Sequence, residues 1–247
     1  MKKILMSIMT IGIALGMLGA GTLSFFSDWE ISEDNYFEAG TMDLLVDCHS
    51  IHTGLWPGGH VYEANIDFEE KDLIPGDKIF NWHDVKPGDY GEATISFHVM
   101  DNDAWLWLRV NYLEDFGGAY PEPEAELYPD EGDLSDYIDV RIWLDEGQTE
   151  GWQGKGPEGD PGEGDNIWQD GEPILFDWNT LANLYIYGWL PDSPWHLQSC
   201  HTGYIGWEWE VATSVDNIIQ GDYVTFDVEI YAEQYRNNEV PVPPVGA

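Results

Sequence analysis

Apolar and polar residues alternate along several stretches of this chain, which is the pattern of β-strands with one buried face. The clearest case is residues 223–233, where almost every second residue is apolar. The face turned toward the core would carry Val224, Phe226, Val228, Ile230 and Ala232. Further strands are predicted at residues 41–46, 91–100, 105–113, 137–144 and 204–211.

Helical periodicity is scarce. One short helix is predicted at residues 179–184, with Asn179 or Thr180 as its N-cap. The Asp-Asn-Asp sequence at residues 101–103 predicts a tight hairpin turn between two strands. Many short strands with few helices are typical of a β-sandwich. We therefore expect an all-β fold: a jelly-roll-like antiparallel β-sandwich with long acidic loops and little helix.

The N-terminus has the pattern of an export signal. Two lysines precede an apolar run at residues 4–18, and the small residues Thr22 and Ser24 follow it. This order predicts a secretory signal peptide at residues 1–24, so that the mature chain begins at Phe25. An uncleaved N-terminal anchor is the alternative, because the apolar segment is just long enough to cross a bilayer.

The residues that follow the apolar run have a distinctive order. A Gly-x-Gly-Thr-x-x-x-Phe-x-Asp sequence is followed, after a polar stretch, by Phe-x-x-Gly-Thr-x-Asp-Leu. This region resembles the TasA/camelysin family of secreted prokaryotic proteins, several of which build extracellular biofilm fibres. The resemblance implies a β-sandwich that is processed by a dedicated signal peptidase and acts outside the cell. The matching residues are Gly19, Gly21, Thr22, Phe26, Asp28, Phe37, Gly40, Thr41, Asp43 and Leu44.

The segment that signal cleavage would release has the features of a strand that adds to another protein molecule. It places Phe25, Trp29 and Ile31 on one face and Phe26 on the other. We expect this segment to complete the sandwich of a neighbouring copy, and such head-to-tail contacts propagate a homopolymeric filament. The expected organisation is a signal peptide at 1–24, a donor-strand segment at 25–36, a β-sandwich domain at 37–239 and a Pro-rich tail at 240–247.

The charge of the chain excludes several partners. The formal net charge is −38, with 47 acidic and 9 basic residues. Nucleic-acid binding is excluded because phosphate contacts need a basic surface. Anionic lipid is disfavoured for the same reason, so the membrane would be met only through the signal peptide before cleavage. Hydrophobic residues make up 43% of the chain, which is enough for a folded core. High salt or bound cations would relieve the self-repulsion.

The long loop at residues 145–173 combines carboxylates with glycines, and calcium prefers oxygen ligands on a backbone that can turn tightly. We expect calcium to be the cofactor if one is bound. A solvated acidic loop is the alternative, since the whole chain is acidic. The candidate ligands are Asp160, Asp165, Asp170 and Glu172.

Cysteine usage predicts one disulfide. Cys48 and Cys200 are the two cysteines of the chain, and a pair in an exported protein is most simply bonded. Such a bond would bring His49, His52 and His201 together, and three imidazoles would suit a transition metal. The disulfide with incidental histidines and the metal site are therefore two alternatives.

Catalytic motifs are absent from the sequence: there is no His-Glu-x-x-His, no Gly-x-Ser-x-Gly and no phosphate-binding loop. No catalytic residue is expected, although camelysin-type relatives are classed as metallopeptidases. Tryptophans in loop-like sequence would suit stacking on sugars, which makes a matrix polysaccharide a second candidate partner. The lead hypothesis is a secreted structural subunit of an extracellular fibre or biofilm matrix. The alternatives are a monomeric calcium-dependent binding module on the cell surface and an extracellular metallopeptidase.

Overall fold

The computed structural model describes residues 42–56, 60–118, 132–149, 151, 160–238 and 241–243. The chain divides into one unit of residues 1–39 and a second of residues 40–247, and every described residue belongs to the second. The predicted signal peptide, the donor segment with Phe25, Phe26, Trp29 and Ile31, and most of the Pro-rich tail lie outside the described residues.

Strands dominate the described part of the chain, and one short α-helix interrupts them. The helix α1 (Leu181–Tyr187) begins after Thr180, whose hydroxyl oxygen accepts the main-chain N–H of Asn183 at 3.3 Å. The predicted helix and its Thr180 cap are thus confirmed. The strands are β1 (Asp43–Trp56), β2 (His60–Lys71), β3 (Tyr90–Met100), β4 (Ala104–Phe116), β5 (Ile138–Leu144), β6 (Ile174–Thr180), β7 (Leu190–Leu197), β8 (Thr202–Val211) and β9 (Tyr223–Gln234).

These strands form two antiparallel sheets, which confirms the predicted all-β sandwich. The larger sheet has the order β2-β1-β3-β8-β5-β6, and the smaller sheet has the order β7-β4-β9. The hairpin predicted at residues 101–103 is wrong, because β3 and β4 belong to different sheets. Those residues carry the chain from one sheet to the other. Turn chemistry shows where a chain reverses, but it does not show which sheet receives the next strand.

The core lies between the two sheets and is built by the alternation that the sequence displays. β3 contributes Ile95, Phe97 and Val99, all fully buried, and β4 contributes Leu106 and Leu108 opposite them. Because side chains alternate across a strand, the next residues of each strand face outward. The face of β9 that was predicted to be apolar packs against this core, but its residues remain only partly buried.

Three glycines of the larger sheet lie beneath tryptophan rings, namely Gly91, Gly203 and Gly206. Trp143 of β5 lies opposite Gly206 of β8, and a Cβ atom at Gly206 would come within 2.2 Å of the Trp143 ring. Gly91 of β3 lies opposite Trp209 of β8, and a Cβ there would also come within 2.2 Å of the Ile51 carbonyl oxygen. The missing side chains therefore make room for large rings beside the sheet.

The four edges of the two sheets differ. In the described part of the chain, β2 and β6 end the larger sheet, whereas β7 and β9 end the smaller one. β2 carries exposed carboxylates such as Glu63, Glu69 and Glu70, and β7 contains Pro191 and Pro194, which have no N–H to donate. The first half of β9 has neither prolines nor a neighbouring strand on its outer side.

Candidate functional site

A long groove opens beside β9, next to the edge that carries no strand in the described part of the chain. Its volume is about 1710 Å³, which exceeds the roughly 300–1,000 Å³ of pockets that hold small molecules. One wall is the first half of β9, and another is the irregular segment 73–87 that follows β2. The size suits an extended polypeptide. The lining includes Phe80, Trp82, Trp207, Trp209, Phe226 and Val228.

Aromatic rings connect the walls of this groove. Phe80, from the irregular segment, contacts Trp207 of β8 with 5.0 Å between ring centroids and Phe226 of β9 with 6.1 Å. Val224, Phe226 and Val228 point toward the core from β9 but are not fully covered. Within the described residues, the groove is therefore a part of the sandwich in which apolar side chains are not fully covered.

A buried polar cluster adjoins the groove. His52 of β1 and Asp89 are both buried, with 3.0 Å between the imidazole Nε2 and the carboxylate Oδ2. The rings of Trp82 and Trp209 pack on His52, with centroids 5.6 Å and 5.2 Å away. The indole Nε1 atoms of these two tryptophans are buried and have no hydrogen-bond partner, although both residues line the groove. Buried donors without an acceptor are uncommon in folded proteins.

Both lysines and carboxylates lie at the groove. Three of the nine lysines and arginines of the chain, Lys71, Lys78 and Lys86, fall within 16 residues. Lys78 and Lys86 line the groove. Lys71 and Lys86 pair with nearby aspartates, whereas Lys78 donates to the Asn81 amide oxygen at 2.8 Å and takes part in no ion pair among the described residues. Six carboxylates also line the groove, so its lining has no excess of positive charge: Asp77, Asp84, Asp216, Asp222, Asp227 and Glu229.

An acidic pair lies near the start of β9. The main-chain N–H of Asp133 donates to Asp222 Oδ2 at 3.0 Å, and Asp222 lines the groove. Burial, together with the Asp222 carboxylate, raises the pKa of Asp133 from 3.8 to about 6. Loss of water disfavours the charged form, and a second negative charge adds to that effect.

The acidic loop between β5 and β6 folds back on the larger sheet. The N–H of Asp145 donates to the Tyr204 carbonyl oxygen at 3.0 Å, which fixes the start of the loop beside β8. The Asp145 carboxylate accepts the main-chain N–H groups of Gly164 at 3.1 Å and Asn166 at 2.7 Å. Glu172 accepts N–H groups from the loop in the same way. Burial raises the pKa of Asp145 to about 7 and also raises the pKa of Glu172.

The predicted calcium ligands occupy different parts of this loop. Asp160 accepts the N–H and hydroxyl of Thr149, Asp165 and Asp170 are exposed, and Glu172 is buried. Nowhere in the described ranges do three or more His, Cys, Asp or Glu side chains form a group that would hold a metal. Sequence reasoning did not single out Asn166, which is buried, and it gave no reason to prefer Asp145 over the other acids of the loop.

The predicted disulfide is not present: Cys48 is a buried free thiol and Cys200 an exposed one. Cys48 lies opposite Ile95 of β3, whereas the Cys200 N–H donates to the carbonyl oxygen of Val99. Those two positions on β3 are about 13 Å apart, which is about twice the Cα separation of a disulfide. Burial raises the pKa of Cys48 to about 12, so this thiol stays protonated.

The three histidines proposed with the cysteines are likewise separate. His49 is exposed and pairs with Asp67, whereas His52 points to the opposite, buried face of β1. His201 precedes β8, with its Nδ1 2.9 Å from the Ser199 carbonyl oxygen. Register places His52 at the opposite end of β3 from His201, so the three imidazoles do not share a metal.

The fold and the groove define a class: an all-β two-sheet protein with an accessible groove along one edge strand. Residues 1–110 match the family of camelysin metallo-endopeptidases. This match confirms, over those residues, the predicted resemblance to the TasA/camelysin family. Comparison with curated proteins finds no match.

The family description implies a catalytic metal, which requires about three protein ligands around an open position. The described residues do not fit this requirement, since none of their His, Cys, Asp or Glu side chains forms such a group. No helix within the described ranges has both the length and the apolar character to span a bilayer.

Proposed function

We propose that the protein is a secreted structural subunit of an extracellular fibre, in which residues 25–36 of one copy occupy the β9 groove of the next. The observation that carries this proposal is the groove itself. It runs beside an edge strand of a three-stranded sheet that faces a six-stranded one. An added strand would pair with the main chain of β9 and cover its apolar side chains, which is the recognition mode of strand addition.

Length supports this occupant. β9 has 12 residues, and residues 25–36 are equally many. Twelve extended residues span about 40 Å, which is more than enough to pass the groove beside the first half of β9. Because the donor and acceptor surfaces differ, each added copy presents a new groove, and the assembly grows as a filament.

The test uses the mature chain from residue 25 in two variants. Deletion of residues 25–31 removes the donor, and Phe226→Asp places a carboxylate in the groove. Each variant alone should remain folded and monomeric. The deletion variant has no donor strand, and in the Phe226→Asp variant an incoming strand would bury an unpaired carboxylate, which costs several kcal/mol. Val61→Asp is the matched control: it adds the same charge to an exposed apolar residue of edge strand β2, away from the groove, and it should still form filaments.

Mixing the two variants gives the sharpest result. The deletion variant has an open groove and the Phe226→Asp variant has a donor, so together they should form one-to-one dimers and no filament. Negative-stain microscopy, mass photometry and circular dichroism would follow assembly and folding. Val224→Asp provides a second blocked groove if Phe226→Asp does not fold. Filaments from the deletion variant would refute residues 25–36 as the donor strand. A mixture that stays monomeric would refute the proposal and favour the monomeric binding module. Protein cleavage by the mature chain that a chelator abolishes would instead support the metallopeptidase.

A further inference from the structure

We propose that Asp145, Asn166 and Glu172 form a calcium site that fastens the acidic loop to the outer face of the larger sheet. The site differs from the one that the sequence suggested, because it consists of buried residues and leaves out the exposed carboxylates. It is independent of the proposed fibre assembly, since none of its three residues lines the groove.

The first observation is two buried carboxylates without a basic partner. Asp145 is 1% exposed and Glu172 is 6% exposed. Their oxygens accept main-chain N–H groups of the loop at 2.7–3.1 Å. No Lys, Arg or His of the described residues forms an ion pair with either one. Buried charges in proteins are paired or coordinate metals, because leaving them bare is costly.

The second observation is Asn166, which is 3% exposed. Its side-chain Oδ1 and Nδ2 atoms are both buried and have no hydrogen-bond partner. Its main-chain N–H lies 2.7 Å from Asp145 Oδ2, so the side chain begins right beside that carboxylate. An amide left without partners inside a protein is rare. A cation would satisfy the oxygen atom of this amide.

The ligand chemistry selects calcium. All three side chains offer oxygen, which excludes the nitrogen and sulfur ligands that zinc and copper prefer. Each carboxylate oxygen has two acceptor positions, so one remains for a cation after each N–H bond. Calcium accepts carboxylate, amide and main-chain oxygens in flexible geometry, whereas magnesium demands a near-ideal octahedron. With two carboxylates, the site belongs with the weaker extracellular class, whose Kd is about 0.1–1 mM.

The experiment measures the Tm of the mature chain in chelator and then in 10 mM calcium or magnesium. Calcium should raise the Tm by about 3–8 °C at ten or more times Kd, and magnesium should raise it less. Terbium offers a direct probe, because the Trp168 indole donates to the Glu172 carbonyl oxygen at 3.3 Å and would sensitise its emission. Calcium should displace the terbium signal.

Variants separate a site from general charge screening. Asp145→Asn and Asn166→Ala should abolish the calcium-dependent rise in Tm and the terbium emission. Asn166→Asp adds a third carboxylate, so it should bind calcium at least tenfold more tightly and melt earlier in chelator. Asp170→Asn is the matched control: it removes one charge from an exposed position of the same loop and should respond like the wild type.

Three results would overturn the site. They are an absent calcium response in the wild type, an equal response to magnesium, and an Asp170→Asn variant that loses as much of the response as Asp145→Asn. Circular dichroism in chelator verifies that each variant is folded. If Asn166→Ala does not fold, the gain in affinity of Asn166→Asp decides the question.

Discussion

Replacing Gly206 by alanine tests how the larger sheet accommodates its tryptophans. In a strand, Gly→Ala at a compatible position usually stabilises a protein by about 0.4–1 kcal/mol, since it restricts the unfolded chain. At Gly206 the added Cβ would lie 2.2 Å from the ring of Trp143, which is fully buried. Carbon atoms in contact prefer about 3.5–4.0 Å, so the ring or the strand must move by more than 1 Å.

Such overpacking costs typically about 1–3 kcal/mol. After the entropy gain is subtracted, the Gly206→Ala variant should be about 1–2 kcal/mol less stable, which corresponds to a Tm lower by roughly 2–8 °C. Urea unfolding followed by circular dichroism would measure the difference. A stability equal to or above that of the wild type would show that the ring does not lie over this glycine.

A double-mutant cycle locates the cause. Trp143→Leu removes the ring atoms that meet the new methyl group, so in that background Gly206→Ala should be neutral or stabilising. Gly91→Ala is the contrasting case, because its Cβ would also lie 2.2 Å from the Ile51 carbonyl oxygen. Trp209→Leu should therefore fail to rescue Gly91→Ala. Equal rescue at both glycines would contradict the geometry.

Three further predictions concern charge, thiols and export. Because the pKa of Asp133 is raised, ionisation of this group lowers the stability of the folded protein as the pH rises from about 4 to about 6. The Tm of Asp133→Asn minus the Tm of the wild type should therefore grow over that interval and then level off. A difference that does not change with pH would contradict this prediction. In the native protein a thiol reagent should label Cys200 rapidly and Cys48 only after unfolding, whereas a recovered Cys48–Cys200 peptide would restore the disulfide. N-terminal sequencing of extracellular protein should begin at or near Phe25, and an intact Met1 would favour the uncleaved anchor.

Strands with one buried face could be predicted from the sequence, including the edge strand β9, whereas the edge strands β2, β6 and β7 were missed. β3, β4, β5, β8 and β9 alternate because one face meets the core. β2 was missed although its sequence alternates: Tyr62, Ile66 and Phe68 are half-buried, whereas Glu63, Asn65, Asp67 and Glu69 between and beside them are exposed. β7 escaped because Pro191 and Pro194 argue against a strand, although an edge strand tolerates them.

The candidate sites depended on burial that the sequence does not encode locally. Many acids of the loop look alike in sequence, and Asp145 differs only because the loop folds back on Tyr204 of β8. The groove was missed because its residues come from distant segments, among them Phe80 and Phe226. Pairing Cys48 with Cys200 assumed that two cysteines must meet, whereas strand register separates them along β3.

The carboxylates on the β2 edge make the solution behaviour of this protein depend on ionic strength. Their repulsion reaches about 30 Å at 0.01 M salt but only about 3 Å at 1 M. In dilute buffer, two copies that approach through Glu63, Glu69 and Glu70 repel each other before their main chains can pair. At high salt this repulsion between carboxylates is screened, so two copies can associate side by side through the edges of their sheets. Apolar contacts such as those of the β9 groove are not weakened in this way, so salt should thicken assemblies of this protein and not dissolve them.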